Sequence, residues 1–161
     1  LQDPTDADCP VITSLIYLCK YDSCHTVRLA ALTVLAINTK TLQCLVDRVR
    51  DVNDSVRKKA FEVLSLWKIL KPLSISSRLL IAEAGLTDKS VSVQTACKQL
   101  LRVWLQASSD NDMLVLLKRL DVGNNERGTE AALQALLSSL TAAEVIAVVD
   151  QMCSTTMMDE Q

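Results

Sequence analysis

This sequence predicts an all-α fold built from stacked helix pairs, and three observations carry that prediction. The first is a pattern that recurs three times: an acidic residue, then a Val, a small residue and a Leu at helical spacing. The copies are Asp22, Val27, Ala31, Leu35; Asp51, Val56, Ala60, Leu64; and Asp88, Val93, Cys97, Leu101. Steps of four residues place Val, small residue and Leu on one face of a helix. The second observation is an Arg directly after the Val in the first two copies (Arg28, Arg57), with Gln94 in that place in the third. The third is composition: 49% hydrophobic but 3% aromatic, with 3 Gly and 3 Pro in 161 residues. So few turn residues suit amphipathic helices and argue against a β-sandwich.

Copies that start about 30 to 40 residues apart fit helix-pair repeats of the HEAT or armadillo kind. The expected architecture is a solenoid with a right-handed superhelix, a fragment of a longer array, because an open solenoid end would expose apolar surface. Four pairs are expected, over residues 11–37, 39–70, 74–106 and 112–139, with a further helix over 141–153. In the first pair, Val27, Ala31, Val34 and Leu35 face the core. In the second, Leu42, Leu45, Val46 and Val49 form one stripe, and Val56, Ala60, Val63, Leu64, Trp67 and Leu70 form the other. Asp54 is the expected N-cap of that second helix, and Pro72 its stop. Gly85 is the expected C-terminal cap of the helix that begins near Ser74. Residues 123–125 read as the turn of the fourth pair, and Thr141 to Glu144 as a capping box for the last helix.

Composition also limits function. The net charge of -2 gives no whole-chain attraction to nucleic acid or membrane. No apolar run approaches the ~20 residues a spanning helix needs, so no membrane partner is expected. The six cysteines (Cys9, Cys19, Cys24, Cys44, Cys97, Cys153) have no framework spacing and read as reduced, buried small hydrophobes of a cytosolic or nuclear protein. Cys19, Cys24 and His25, with Cys9 or Cys44, match no common zinc spacing, so no metal is expected. His25 is the single histidine, and neither a nucleophile motif nor a Gly-rich phosphate loop is present. Enzymatic activity, cofactor and small-molecule substrate are therefore not expected. Trp67 and Trp104 sit at core spacing, and Met152, Met157 and Met158 read as part of a frayed tail.

Basic residues concentrate locally. Between Arg48 and Arg78 stand Arg48, Arg50, Arg57, Lys58, Lys59, Lys68, Lys71 and Arg78, against Asp51, Asp54 and Glu62. Cations gathered on a solenoid groove hold phosphates by Coulomb attraction and counterion release, without reading base sequence. Arg48, Arg50, Lys58 and Lys59 are the preferred phosphate candidates, because they gather around one inter-helix turn. Arg57 and Arg28 come second, since they can instead bond acids of neighbouring repeats as a structural ladder. A solvated helix face remains the alternative reading of the whole cluster.

Several blocks carry a more specific likeness. They are Val49-Arg50-Asp51-Val52, Ser55-Val56-Arg57-Lys58, Ala60-Phe61-Glu62-Val63-Leu64, Gly85-Leu86-Thr87-Asp88, Leu100-Leu101-Arg102-Val103-Trp104-Leu105 and Leu116-Leu117-Lys118-Arg119-Leu120-Asp121-Val122. In order and approximate spacing the chain resembles the condensin subunit 3 family, the G-type HEAT subunits, over residues 20–150. The resemblance implies a non-catalytic piece of a long solenoid that clasps the kleisin subunit of condensin and, with it, forms a basic groove for duplex DNA. It also implies the other condensin subunits as partners, including the SMC ATPases, and a place in the nucleus and on chromosomes, with the cytoplasm in part of the cell cycle. The family often carries a second basic residue straight after the first repeat's Val-Arg; here Leu29 stands there. The competing function is a HEAT or armadillo scaffold or transport adaptor that binds only extended peptides.

Overall fold

A computed structural model describes residues 9–68, 70–108, 112–120, 126–138, 145–146 and 148–150. Its elements are α1 (Pro10–Tyr21), α2 (His25–Val34), α3 (Thr39–Arg48), α4 (Asp54–Leu66), α5 (Ile75–Leu86), α6 (Val91–Ser108), α7 (Met113–Arg119) and α8 (Glu126–Leu137). All described elements are helices, as expected of a HEAT-type chain. The capping box at 141–144 and the turn at 123–125 lie outside the described residues, as does most of the helix expected over 141–153.

Local chemistry sets where these helices begin. Pro10 stands in the first turn of α1, where its missing N–H costs nothing. Asn38 and Thr41 form a reciprocal cap on α3: Asn38 Oδ1 accepts from the Thr41 N–H at 2.9 Å, and Thr41 Oγ1 accepts from the Asn38 N–H at 2.9 Å. Ser74 caps α5 through the Ser77 N–H, and Asp112 caps α7 through the Leu114 and Val115 N–H groups. The cap of α4 is Asn53, one residue before the expected Asp54. Its Oδ1 accepts from the Ser55 N–H at 3.0 Å. Asp54 is instead the first helical residue, its carboxylate in the turn where the helix dipole favours negative charge.

Two helices are shorter than their hydrophobic patterns. The second ends at Val34 because Leu35 turns extended, yet Leu35 still reaches the core. The fourth ends at Leu66, not near Leu70. Beyond it Trp67 leaves the helix half-buried, and its indole N–H donates to the Lys71 carbonyl at 3.2 Å. The Leu73 N–H donates to the Leu70 carbonyl, and both leucines are buried. A turn that buries both leucines and bonds its own carbonyls replaces the last helical turn.

The helices form two layers. Within pairs, α1 packs on α2, α3 on α4 and α5 on α6; between pairs, α2, α4 and α6 stack side by side, and α1 lies against α3. Farther on, α7 packs on α6, and α8 rests on α5 and α6. The repeated pattern forms the seam of this stack: Val56, Ala60, Leu64, Val93, Cys97 and Leu101 are all buried, as are Ala31 and Leu35, whereas Val27 is half-buried and Val34, expected in the core, is exposed at the end of α2. Phe61 and Trp104 are the largest fully buried side chains, each contributing about 2–3 kcal/mol by area.

Gly85 is not a cap. It lies inside α5, buried, while Thr87 closes the helix with its N–H and hydroxyl on the Glu83 carbonyl. A Cβ at position 85 would meet Cys97 Cβ and Sγ at 2.5 Å and Phe61 Cζ at 2.6 Å. The glycine and the small residue of the third copy thus let α5 and α6 close on the Phe61 ring. In an open helix Gly→Ala stabilises by up to ~1 kcal/mol; here overpacking of about 1–3 kcal/mol opposes it. The expected outcome for Gly85→Ala is a lower urea midpoint with an unchanged slope. A raised midpoint would show that the α5–α6 contact has room.

Candidate nucleic-acid interface

The charged residues of this stack fall into two sets, and the turn before the second helix of each pair explains the first. In each copy the leading Asp folds back onto the N–H two residues on. Asp22 accepts from Cys24 at 2.8 Å, Asp51 from Asn53 at 2.9 Å, and Asp88 from Ser90 at 2.8 Å. That turn leaves backbone carbonyls facing the helix that follows. One Arg28 Nη1 donates to the Asp22 and Ser23 carbonyls at 2.9 and 3.0 Å, and Arg57 Nη1 to those of Asp51 and Val52 at 2.9 and 3.3 Å.

The other edge of each guanidinium reaches the next repeat. Arg28 grips Asp51 with two bonds of 2.9 and 2.7 Å, and Arg57 grips Asp88 with two of 2.6 and 2.9 Å. Both arginines are buried, and the Asp51 and Asp88 side chains are 1% and 6% exposed, which leaves no edge for an external phosphate. Gln94 ends the series. Its Nε2 donates to the Asp88 carbonyl at 2.7 Å, the within-repeat bond of the arginines, but it carries no charge for a further acid.

The carboxyls respond to this wiring. Burial pushes Asp51 up, but the Arg28 hydrogen bond, the Asn53 N–H and the charges of Arg28 and Arg48 outweigh it and hold the group below its ordinary value. The Arg57 hydrogen bonds do the same for Asp88.

Of the preferred candidates, Arg48 is also tied into the ladder, its Nη1 2.9 Å from Asp51 Oδ2 with the side chain 19% exposed. Arg50 is exposed but opens toward α3 and α5, in a recess with Asp47, Ser76 and Ser77. Lys58 and Lys59 lie on the outward face of α4. The four residues that are close in sequence therefore do not share a face.

The structure gathers a different set. A groove along the outward face of α4 and α6 is lined by Lys58 and Glu62 from α4 and by Lys98, Gln99 and Arg102 from α6, and it continues past Lys59 and Ser55 toward Leu29 and Thr33 on α2. Among the described residues, four cations thus line it with a single carboxylate. Lys98 and Arg102 escape a count of charges along the chain, because they lie beyond the basic stretch. Repeat register exposes the second: Arg102 is nine residues after Val93, the place of Ser65 after Val56.

The cysteines also divide. Cys9, Cys19, Cys44 and Cys97 are buried thiols, and burial pushes Cys97 up to about 12. Cys24 departs from the expected burial: it is exposed at the start of α2, 2.9 Å from the Thr26 hydroxyl.

No family model matches the chain. Among curated proteins, condensin complex subunit 3 of Xenopus laevis is 41% identical over 147 residues, 91% of this chain and 14% of its own length. The Homo sapiens protein of the same name is 40% identical over the same share of each chain. Among solved structures, a chain of the S. pombe condensin Cnd3–Cnd2 subcomplex matches with a TM-score of 0.75 and 32% identity, over 79% of this chain and 17% of that one. The chain belongs with condensin complex subunit 3. It spans 14% of the length of the curated condensin relatives it matches. The resemblance read from the sequence blocks thus holds at both the sequence and the fold level.

Ladder and groove should separate in experiment. Asp88→Asn leaves Arg57 buried without its counter-charge and is expected to lower stability by about 3 kcal/mol, the lower end for a broken buried pair. Both carboxyls titrate below an unfolded value of about 3.9. Their contribution is therefore complete above that pH and is lost as pH falls through the depressed folded values. Urea midpoints measured from pH 7 to pH 3 should fall below about pH 4 in the wild type, and more shallowly in Asp88→Asn. Equal acid sensitivity in both would remove Asp88 from the ladder's energetics.

Proposed function

We propose that this chain is a non-catalytic HEAT-repeat segment of a condensin subunit 3, which takes part in clasping the kleisin subunit and contacts duplex DNA through phosphates, without base specificity, in mitotic chromosome condensation. The observation that carries this reading is the α4–α6 groove: Lys58, Lys59, Lys98 and Arg102 face one carboxylate on a segment homologous to condensin subunit 3. The S. pombe relative of known structure is part of a subcomplex with Cnd2, which supports a kleisin partner for this segment as well. ATP turnover belongs, in this reading, to the SMC subunits.

A phosphate in the groove would be met by the exposed ammonium of Lys58 and the half-buried ones of Lys59 and Lys98, which change partner at little cost. Affinity then comes chiefly from released counterions, so it falls steeply with salt and is indifferent to base sequence. Of the residues weighed from sequence, Lys58 and Lys59 remain in this site. Arg50 has its own exposed face, and the ladder holds Arg28, Arg57 and Arg48.

Fluorescence anisotropy of a labelled duplex of about 30 base pairs, at several salt concentrations with and without a kleisin segment, tests this. Binding that strengthens with the kleisin and weakens with salt is the expected result. No DNA binding in either state, by a folded helical protein, would overturn the DNA part and favour a scaffold for peptides alone. Charge reversal of both Lys58 and Lys59 turns two ion pairs with Glu62 into repulsions and should lower stability by about 1–2 kcal/mol while the helical fold is kept. The same change should weaken DNA binding and flatten the salt slope by about one unit per lost phosphate contact.

A further inference from the structure

Among the described residues, Glu62 is the one carboxylate that lines the α4–α6 groove. It stands between two of the groove's cations. Its Oε1 is 3.6 Å from Lys58 Nζ and its Oε2 3.4 Å from Lys59 Nζ. The equivalent positions on the flanking helices, six residues after each Val, are Thr33 on α2 and Gln99 on α6. The scaffold accepts a neutral side chain there, so the packing of the stack does not require the carboxylate.

The three side chains are 48%, 30% and 43% exposed (Lys58, Lys59, Glu62), and exposed ion pairs of this kind exchange partners readily. A phosphate approaching either lysine must displace Glu62 or bear its repulsion. Resting on the phosphate-binding reading of the groove, we infer that Glu62 is a built-in competitor for that phosphate. It holds Lys58 and Lys59 as an internal counter-ion, and it sets the salt concentration above which the groove lets go of a duplex. A lysine held by Glu62 neutralises less phosphate charge, so its contact releases fewer of the duplex's condensed counterions.

The test measures binding of a random-sequence duplex of about 30 base pairs to the 161-residue chain across a salt series, for wild type, Glu62→Gln, Lys58→Gln/Lys59→Gln and the triple variant. Glu62→Gln is expected to bind about fivefold more tightly at low salt, the size of one unit-charge repulsion at contact distance in water. Its salt slope should be about one unit steeper. Both effects should vanish when the two lysines are already gone, because Glu62 acts through them. Wild-type binding that is salt-dependent but unchanged in Glu62→Gln would overturn this inference and leave the groove reading standing. Weaker binding by Glu62→Gln would make Glu62 a positioning residue, and equal tightening without the lysines would sever it from them; either result overturns the competitor role. No binding by wild type and Glu62→Gln alike, with a kleisin segment present as well as absent, would overturn the inference together with the groove reading.

Discussion

The bidentate contact from an arginine of one repeat to the aspartate of the next is the interaction on which the rest of this structure depends. Arg28–Asp51 and Arg57–Asp88 are each repeated in sequence, geometry and burial. Each does two things. Within a repeat it closes the turn by taking up backbone carbonyls that the short connection cannot satisfy. Between repeats it fixes the angle at which the second helix of one pair meets that of the next, because a planar fork on a carboxylate tolerates little rotation. Apolar burial supplies most of the stabilisation, but it is non-directional. The ladder supplies direction, and with it a defined spacing between α2, α4 and α6.

That spacing makes the groove. Lys58 and Lys98 are far apart in the chain and approach only because α4 and α6 are stacked side by side. The chain therefore uses its cations in two opposed ways. Arg28 and Arg57 each make four hydrogen bonds and are withdrawn from solvent, as suits a rigid fork. The cations in the groove are mainly lysines, flexible point charges that suit a sequence-indifferent phosphate contact. A nearly neutral net charge conceals this division, since the acids that balance the arginines lie inside the stack.

Much of the fold was legible in the sequence, for a physical reason. A solenoid repeats its local environment, so the Asp, Val, small, Leu pattern is both the sequence signature and the seam of the core. The ladder was legible as one of two readings of Arg28 and Arg57, and burial decides between them. Other features depended on contacts between separated segments. Gly85 resembled a helix cap because glycine commonly ends helices, whereas the Phe61 ring and Cys97, distant in sequence, require it. The pattern of α4 ran on to Leu70 because Trp67 and Leu70 keep apolar spacing even after the backbone has left the helix. The groove was half visible: Lys58 and Lys59 stand out in a basic run, but Lys98 and Arg102 join them only across the stack.

The most direct test of the division between ladder and groove is a titration of the isotope-labelled chain with duplex DNA, followed by the backbone amide and arginine Nε–H resonances. The account predicts that amides around Lys58, Lys59, Lys98 and Arg102 shift in a salt-dependent way, while the Nε–H signals of Arg28 and Arg57 stay fixed on Asp51 and Asp88. Movement of those two arginine signals with a silent groove would contradict it.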